Sequence, residues 1–238
     1  MEIEDRKRIY DALLLILSFL TVCWGLFLLE GEFDIHFKRW GNRPRTSEGL
    51  IGILTSPLLH SDLKHIWGNT VSFFSLTTFL VFFYRPIAFK VFGLIYILSG
   101  VLLWIWGGPG NHIGASGVIY GIAAFVFFGG LFRNDTKLLR VSLAVAFLYG
   151  SLIWWVLPID PHISWEGHLS GAVIGVALAW LMRTAGPQAP IYQWEIDELE
   201  EQRRIDHPEE FEDPATDSGI KITYEYIEKP KEDEQKSP

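Results

Sequence analysis

Four side chains in this sequence have the types and spacing to do covalent chemistry. Ser116 stands between glycines in "GASG", residues 114–117. His168 lies in "WEGHLSG", residues 165–171. His65 and Asn69 lie in "HIWGN", four residues apart, so they share one face of a helix, one turn from each other. A serine hydroxyl is a poor nucleophile until a base within hydrogen-bond reach takes its proton, and an imidazole is the usual base. Singly, each has a plainer explanation. A serine beside G-x-x-x-G packs helices, and a histidine in an apolar segment is a satisfied polar contact. Their coincidence at the starts of three separate apolar segments points to a site.

The segments are what must position them. Of 238 residues, 49% are hydrophobic and 15% aromatic. The apolar residues come in blocks of about 20, the length that a bilayer core asks of a helix. Six are expected, at residues 10–29, 65–84, 87–106, 116–132, 137–157 and 165–182. The fold class is therefore all-α, a polytopic bundle of six transmembrane helices in one membrane domain, residues 1–186. The first block follows a charged start, but its apolar run is long and no A-x-A cleavage site follows it, so it is expected to be retained as a span. Cys23 is the one cysteine, which rules out an intramolecular disulfide.

Charge separates the membrane domain from a tail. Residues 187–238 hold sixteen acidic and six basic residues, against twelve and fourteen in the rest. Nothing in this pattern suggests nucleic-acid binding. Basic residues near the segment ends set the orientation. Arg6, Lys7 and Arg8 precede the first segment, Arg85 lies between the second and third, Arg133, Lys137 and Arg140 flank the fourth-to-fifth turn, and Arg183 follows the sixth. The loops "GGPGNHIGA" and "PIDPHIS" carry none. Both termini are therefore expected in the cytoplasm. The loop of residues 30–64 carries five basic residues on the outer side and, being rich in Trp, Phe and Leu, is expected to fold against the membrane.

In this topology segments two, four and six enter from outside, and each begins with its polar residues. Polar groups in a bilayer are expensive and usually face a bundle interior or a water-filled cavity. Residues 116–132 make a helix of about 25 Å at 1.5 Å per residue. That is short of the roughly 30 Å hydrocarbon core, so the preceding glycine loop is expected to dip inward, with Ser116 on the floor of a hydrated pocket. Gly117 and Gly121 form one G-x-x-x-G, and Gly171 and Gly175 another. If these faces meet, Ser116 and His168 come within reach of each other.

In these residues the chain resembles the rhomboid intramembrane serine proteases. The family's H-x-x-x-N appears as His65 to Asn69, with a further upstream histidine at His60. Its G-x-S-G appears as Gly114, Ala115, Ser116 and Gly117. A tyrosine four after the nucleophile matches Tyr120, and the last-helix pattern matches His168, Gly171 and Gly175. The likeness spans about residues 10 to 183. One departure is the first loop, where Arg39 precedes Trp40 in place of the Trp-Arg order common in that family. The resemblance implies a Ser-His dyad without a carboxylate. Ser116 would be the nucleophile and His168 the base, with the Ser116 N–H, Asn69 and His65 as oxyanion donors. Tyr120 would stack on His168. His60 would brace the first loop, and His112 and His162 would lie near a water path, most simply as surface residues. Substrates would be transmembrane segments of proteins in the lipid bilayer that unwind locally near the outer face, admitted past segment five or the first loop. No cofactor and no metal are expected.

Other classes fit less well. A soluble hydrolase elbow needs G-x-S-x-G, and position 118 is Val. A metalloprotease built on His60, His65 and His168 lacks H-E-x-x-H. A transporter would need more membrane charges. The alternative that stands is a catalytically inactive relative that binds client membrane helices. In the tail, "WEIDELEEQRRI" has the pattern of a short helix and "IKITYEYIE" alternates like a strand. A mostly disordered cytoplasmic tail is the simpler expectation. A docking element for a cytoplasmic partner is the sharper one.

Overall fold

The computed structural model describes residues 3–33, 35–160, 163–188 and 193–207. The chain divides into two compact units, residues 1–190 and 191–238. Among the described residues the first unit is helical, with no strand longer than one isolated bridge, between Asn42 and His112. Its helices are α1 (Ile3–Phe33), α2 (Gly52–Thr55), α3 (Leu63–Trp106), α4 (Ser116–Phe132), α5 (Thr136–Tyr149) and α6 (Trp165–Leu181). The described part of the second unit is α7 (Gln193–Asp206). It covers the tail stretch that reads as a short helix. The stretch that reads as a strand, and His162, lie outside the described residues.

Among the described residues three helices are long and apolar enough to cross a membrane: residues 6–33, Leu63–Trp106, and α5 with its continuation to Val156. The second of these joins two of the expected segments. A straight helix of its 44 residues would be about 66 Å long, twice a bilayer core. It is not straight. Tyr84 leaves helical geometry at φ −121° and ψ 25°, just before Pro86. Proline disfavours the helical conformation in the residue before it and removes a donor, which accounts for the break. The Phe73 and Phe92 rings then stand 6.0 Å apart across nineteen residues, a separation of about 28 Å along one helix. The chain has turned back on itself, and Phe19 of α1 packs against both arms.

The expected segment at 137–157 also differs in detail. Regular α-helix stops at Tyr149, and residues Gly150–Val156 continue as a tighter 3-10 helix ahead of Pro158. Gly150 relaxes the helix there, and Pro158 cannot extend it.

The sequence places α4 at the centre. Ten of its 17 residues are buried, on all sides of the helix, and α6, α5 and α3 pack around it. Large apolar side chains of α1 and α5 stay outside, among them Leu14, Leu17 and Phe147, as a lipid-facing surface requires. The closest approach is α4 on α6. A Cβ on Gly171 would overlap the carbonyl oxygen of Gly117, and one on Gly175 would overlap that of Gly121. The two small-residue faces do meet, backbone on backbone.

One end of the bundle is tied by Arg133, which is 6% exposed. Its guanidinium donates to the carbonyls of Gly129, Met182 and Ala185 at 3.1, 2.6 and 3.1 Å, and lies 5.1 Å from the Tyr84 ring centre. The end of α4, the end of α6 and the kink of α3 thereby share one cation. At the opposite end the first loop holds the loop before α4. Asn42 and His112 exchange backbone hydrogen bonds at 2.9 and 2.8 Å, and Gly114 N–H donates to Ser56 O at 2.8 Å. Wholly buried Asn42 fastens the loop further by donating from Nδ2 to Gly100 O at 2.9 Å.

Candidate active site

Ser116 is the first residue of α4, and the conformation of Gly114 sets its approach. Gly114 has φ +115°, a backbone that side-chain-bearing residues rarely adopt. There is no space for a side chain either. A Cβ there would stand 2.6 Å from Cε1 and Nε2 of His65 and 3.5 Å from Asn69 Nδ2. The imidazole edge and the amide of α3 thus converge on the backbone that leads into Ser116.

Asn69 is held from behind. Its Nδ2 donates to His60 Nε2 at 3.0 Å, so the bond that buttresses Asn69 also ties the first loop, which carries His60, to α3. The bond requires His60 to be neutral. It is 2% exposed, and burial, helped by His65 beside it, pushes its pKa down to about 4. The rings of His60 and His65 meet edge to face at 5.1 Å.

His168 lies in the first turns of α6, which Ser164 caps by accepting from Gly167 N–H at 3.3 Å. Its ring lies flat on Tyr120, centroids 4.2 Å apart and 6° from parallel. Its Nδ1 is 2.8 Å from Trp155 O. A carbonyl only accepts, so Nδ1 carries the proton and neutral His168 keeps the lone pair on Nε2. Tyr120 also donates to Leu152 O at 2.9 Å. His168 and Tyr120 are therefore both anchored to the 3-10 segment after α5.

Ser116 Oγ makes no hydrogen bond to His168 among the described residues. Catalytic hydrogen bonds in unliganded sites are often long and tighten only around substrate. Ser116 lines a cavity of about 30 Å³ together with Gly114, Ser56, Ser99, His112, Ser164 and Gly167. That space takes a water or two, and its hydroxyls and imidazole suit them. His112 is half-buried rather than a surface residue. Nε2 faces Gly108 O at 3.2 Å, so Nδ1 accepts from Ser164 Oγ at 2.6 Å.

The structure therefore brings His65, Asn69 and His60 to Gly114, Tyr120 to His168, and Gly117 to Gly167 and Gly171. Sequence reasoning missed the carbonyls of Trp155 and Leu152, which no side-chain motif can reveal. It also missed Ser61 and Asp62. An acidic residue at a helix N-cap three before His65 was a readable signal. Among the described residues no group of three or more His, Cys, Asp or Glu could hold a metal ion.

A model of the Rhomboid domain matches residues 47–185. An uncharacterized protein of Mycobacterium tuberculosis is 33% identical over 176 residues, 70% of this chain and 73% of its own length. One from Mycobacterium leprae is 30% identical over 177 residues, 70% of each chain. A Bacillus subtilis protein named "Putative rhomboid protease YdcA" is 28% identical over 192 residues, 73% of this chain and 89% of its own.

Proposed function

The chain belongs to the rhomboid family and is an integral, multi-pass membrane protein, and from that premise we propose that it is an intramembrane serine endopeptidase. Residues 1–186 form the protease domain. Its six crossings are α1, the two arms of α3, α4, α5 with its 3-10 continuation, and α6, with both chain ends cytoplasmic. Residues 187–238 are a cytoplasmic tail. The observation that carries the reading is the state of His168. Its Nδ1 proton is committed to Trp155 O, so Nε2 is free to act as a base, on a helix that touches the first turn of Ser116's own.

Ser116 Oγ adds to the scissile carbonyl of a transmembrane substrate while His168 Nε2 takes its proton. The oxyanion is held by the Ser116 N–H, the free N–H of Asn69 and His65. Each such donor is worth about 3 kcal/mol in a dry site. His168 returns its proton to the departing amine. Water from the cavity beside Ser116 then attacks the acyl group, with His168 again as base. The lipid-facing flank past α5 admits the substrate, which unwinds locally to expose its carbonyl. No cofactor takes part.

The missing Ser116–His168 hydrogen bond favours a second reading, an inactive relative that binds client helices. One experiment separates the two. The purified protein in detergent is incubated with a fluorophosphonate probe and with a generic transmembrane substrate, beside Ser116→Ala and His168→Ala. Labelling and cleavage by wild type alone are expected. Equal labelling of wild type and Ser116→Ala overturns the protease reading.

A further inference from the structure

The first turn of α3 holds a carboxylate that the mechanism does not use. Asp62 caps the helix through Oδ1, which accepts from His65 N–H at 2.9 Å. Its Oδ2 stands 2.6 Å from Ser61 Oγ. Ser61 Oγ in turn stands 3.0 Å from His65 Nδ1. The far edge of the same imidazole, Cε1 and Nε2, is the edge that faces Gly114 beside Asn69 Nδ2. Carboxylate, hydroxyl and ring thus run in series from the exposed helix start to the approach to Ser116.

Counting protons decides what this series does. The Ser61 hydroxyl and the His65 backbone N–H hold the Asp62 carboxyl below its ordinary range, so it is ionised. A hydroxyl has one proton, and a short bond to a carboxylate is about twice as strong as a neutral one. The Ser61 proton therefore goes to Asp62. That leaves Ser61 Oγ only lone pairs to offer, so His65 Nδ1 must be the one that donates. A neutral imidazole has a single N–H, and with it on Nδ1 the Nε2 lone pair faces the site. A lone pair cannot hold an oxyanion. His65 can donate from Nε2 only when it carries both protons.

We propose that Asp62, acting through Ser61 Oγ, is a positioning residue that fixes the Nδ1–H form of His65 and makes it serve the oxyanion as an imidazolium. The proposal rests on the protease reading above, with Ser116 as nucleophile. Among the groups around His65, the Asp62 charge favours the imidazolium, and burial of the ring opposes it. His60, 5.1 Å away ring to ring, is kept neutral by its bond from Asn69. His168 of α6 faces it from across the site and must be neutral to act as a base. Lys64 is exposed on the same turn.

The test is Asp62→Asn, which keeps the helix cap. Its amide N–H donates to Ser61 Oγ, which then turns its proton toward His65 Nδ1 and leaves a neutral ring with N–H at Nε2. For wild type, kcat/KM against pH should rise as His168 loses its proton and fall as His65 loses its own. In Asp62→Asn the alkaline fall should vanish, and kcat at the optimum should drop by about tenfold, as expected for exchanging a charged donor for a neutral one, with KM unchanged. Asp62→Ser, which also caps, should behave alike. Independently of activity, ¹⁵N shifts of the His65 imidazole, assigned by difference from His65→Gln, should show N–H at Nδ1 in wild type and at Nε2 in Asp62→Asn. An alkaline limb unchanged in both variants, or an Nε2–H ring already present in wild type, overturns the proposal. Loss of Ser116-dependent cleavage in wild type would instead overturn the protease reading, and the ¹⁵N shifts would still decide the tautomer.

Discussion

At the scale of residues, the bond from Asn69 to His60 makes the site sensitive to acid. His60 accepts only while neutral, and its pKa lies near 4 in the fold against 6.5 for the free side chain. The unfolded chain therefore binds a proton between those values that the folded one refuses. The stability this group contributes is complete above pH 6.5 and is lost as pH falls toward 4, by at most a few kcal/mol. His60→Gln keeps an acceptor and does not titrate. Between pH 7 and pH 4.5 its melting temperature in detergent should fall less than that of wild type. Equal falls would show that His60 does not carry the acid sensitivity. Side-chain identities of this kind were legible in the sequence, because HIWGN and GASG name atoms with obvious chemistry. The partners of those atoms were less so. That His60 meets Asn69 could not be read, because spacing alone does not say which way an imidazole turns.

At the scale of elements, the approach of α6 to α4 decides whether a hydroxyl on one helix and an imidazole on the other share a site. G-x-x-x-G on both helices made that approach legible, since only glycine lets carbonyl oxygens reach the partner's α-carbons. The prediction is sharp because the obstacle is backbone. A Cβ on Gly171 meets the Gly117 carbonyl, which has no rotamer to change. Gly171→Ala must push the helices apart, with a cost of roughly 1–3 kcal/mol and loss of cleavage. Gly93→Ala is the control. It lies within α3 with nothing within 4 Å of its Cβ, so it should raise stability by about 0.5–1 kcal/mol and leave cleavage intact. Thermal unfolding and turnover of the two variants check both. If Gly171→Ala cleaves like wild type, the close contact is not what aligns the site. The break in α3 was also readable, from Pro86, and Gly150 and Pro158 mark where regular helix gives way after Tyr149. The bonds that Tyr120 and His168 make to carbonyls of that stretch were not readable.

At the scale of the whole molecule, composition separates two regimes that obey different physics. The first unit hides its polar groups inside and turns apolar side chains outward, which makes sense only where lipid is the solvent. The described part of the second is charged and exposed instead. In α7 the charged residues dominate, and Trp194, Leu199 and Ile205 are exposed among them. Gln193 to Asp197 and Gln202 to Asp206 make i, i+4 hydrogen bonds within the helix. Such pairs add a few tenths of a kcal/mol each to the helix. The helix was legible in WEIDELEEQRRI although the tail as a whole was expected to be mostly disordered, because net charge measures repulsion from a core, while local pairs act on the helix itself. The described residues that bear on Ser116 and His168 all belong to the first unit, as do the Arg133 tie and the loop clamp at Asn42. Deleting residues 191–238 should therefore leave insertion and kcat/KM within about twofold of the full chain, since none of the groups placed around Ser116 and His168 is removed. A truncated protein that inserts and melts normally but no longer cleaves would show that the tail reaches the site, and would make the two units one machine.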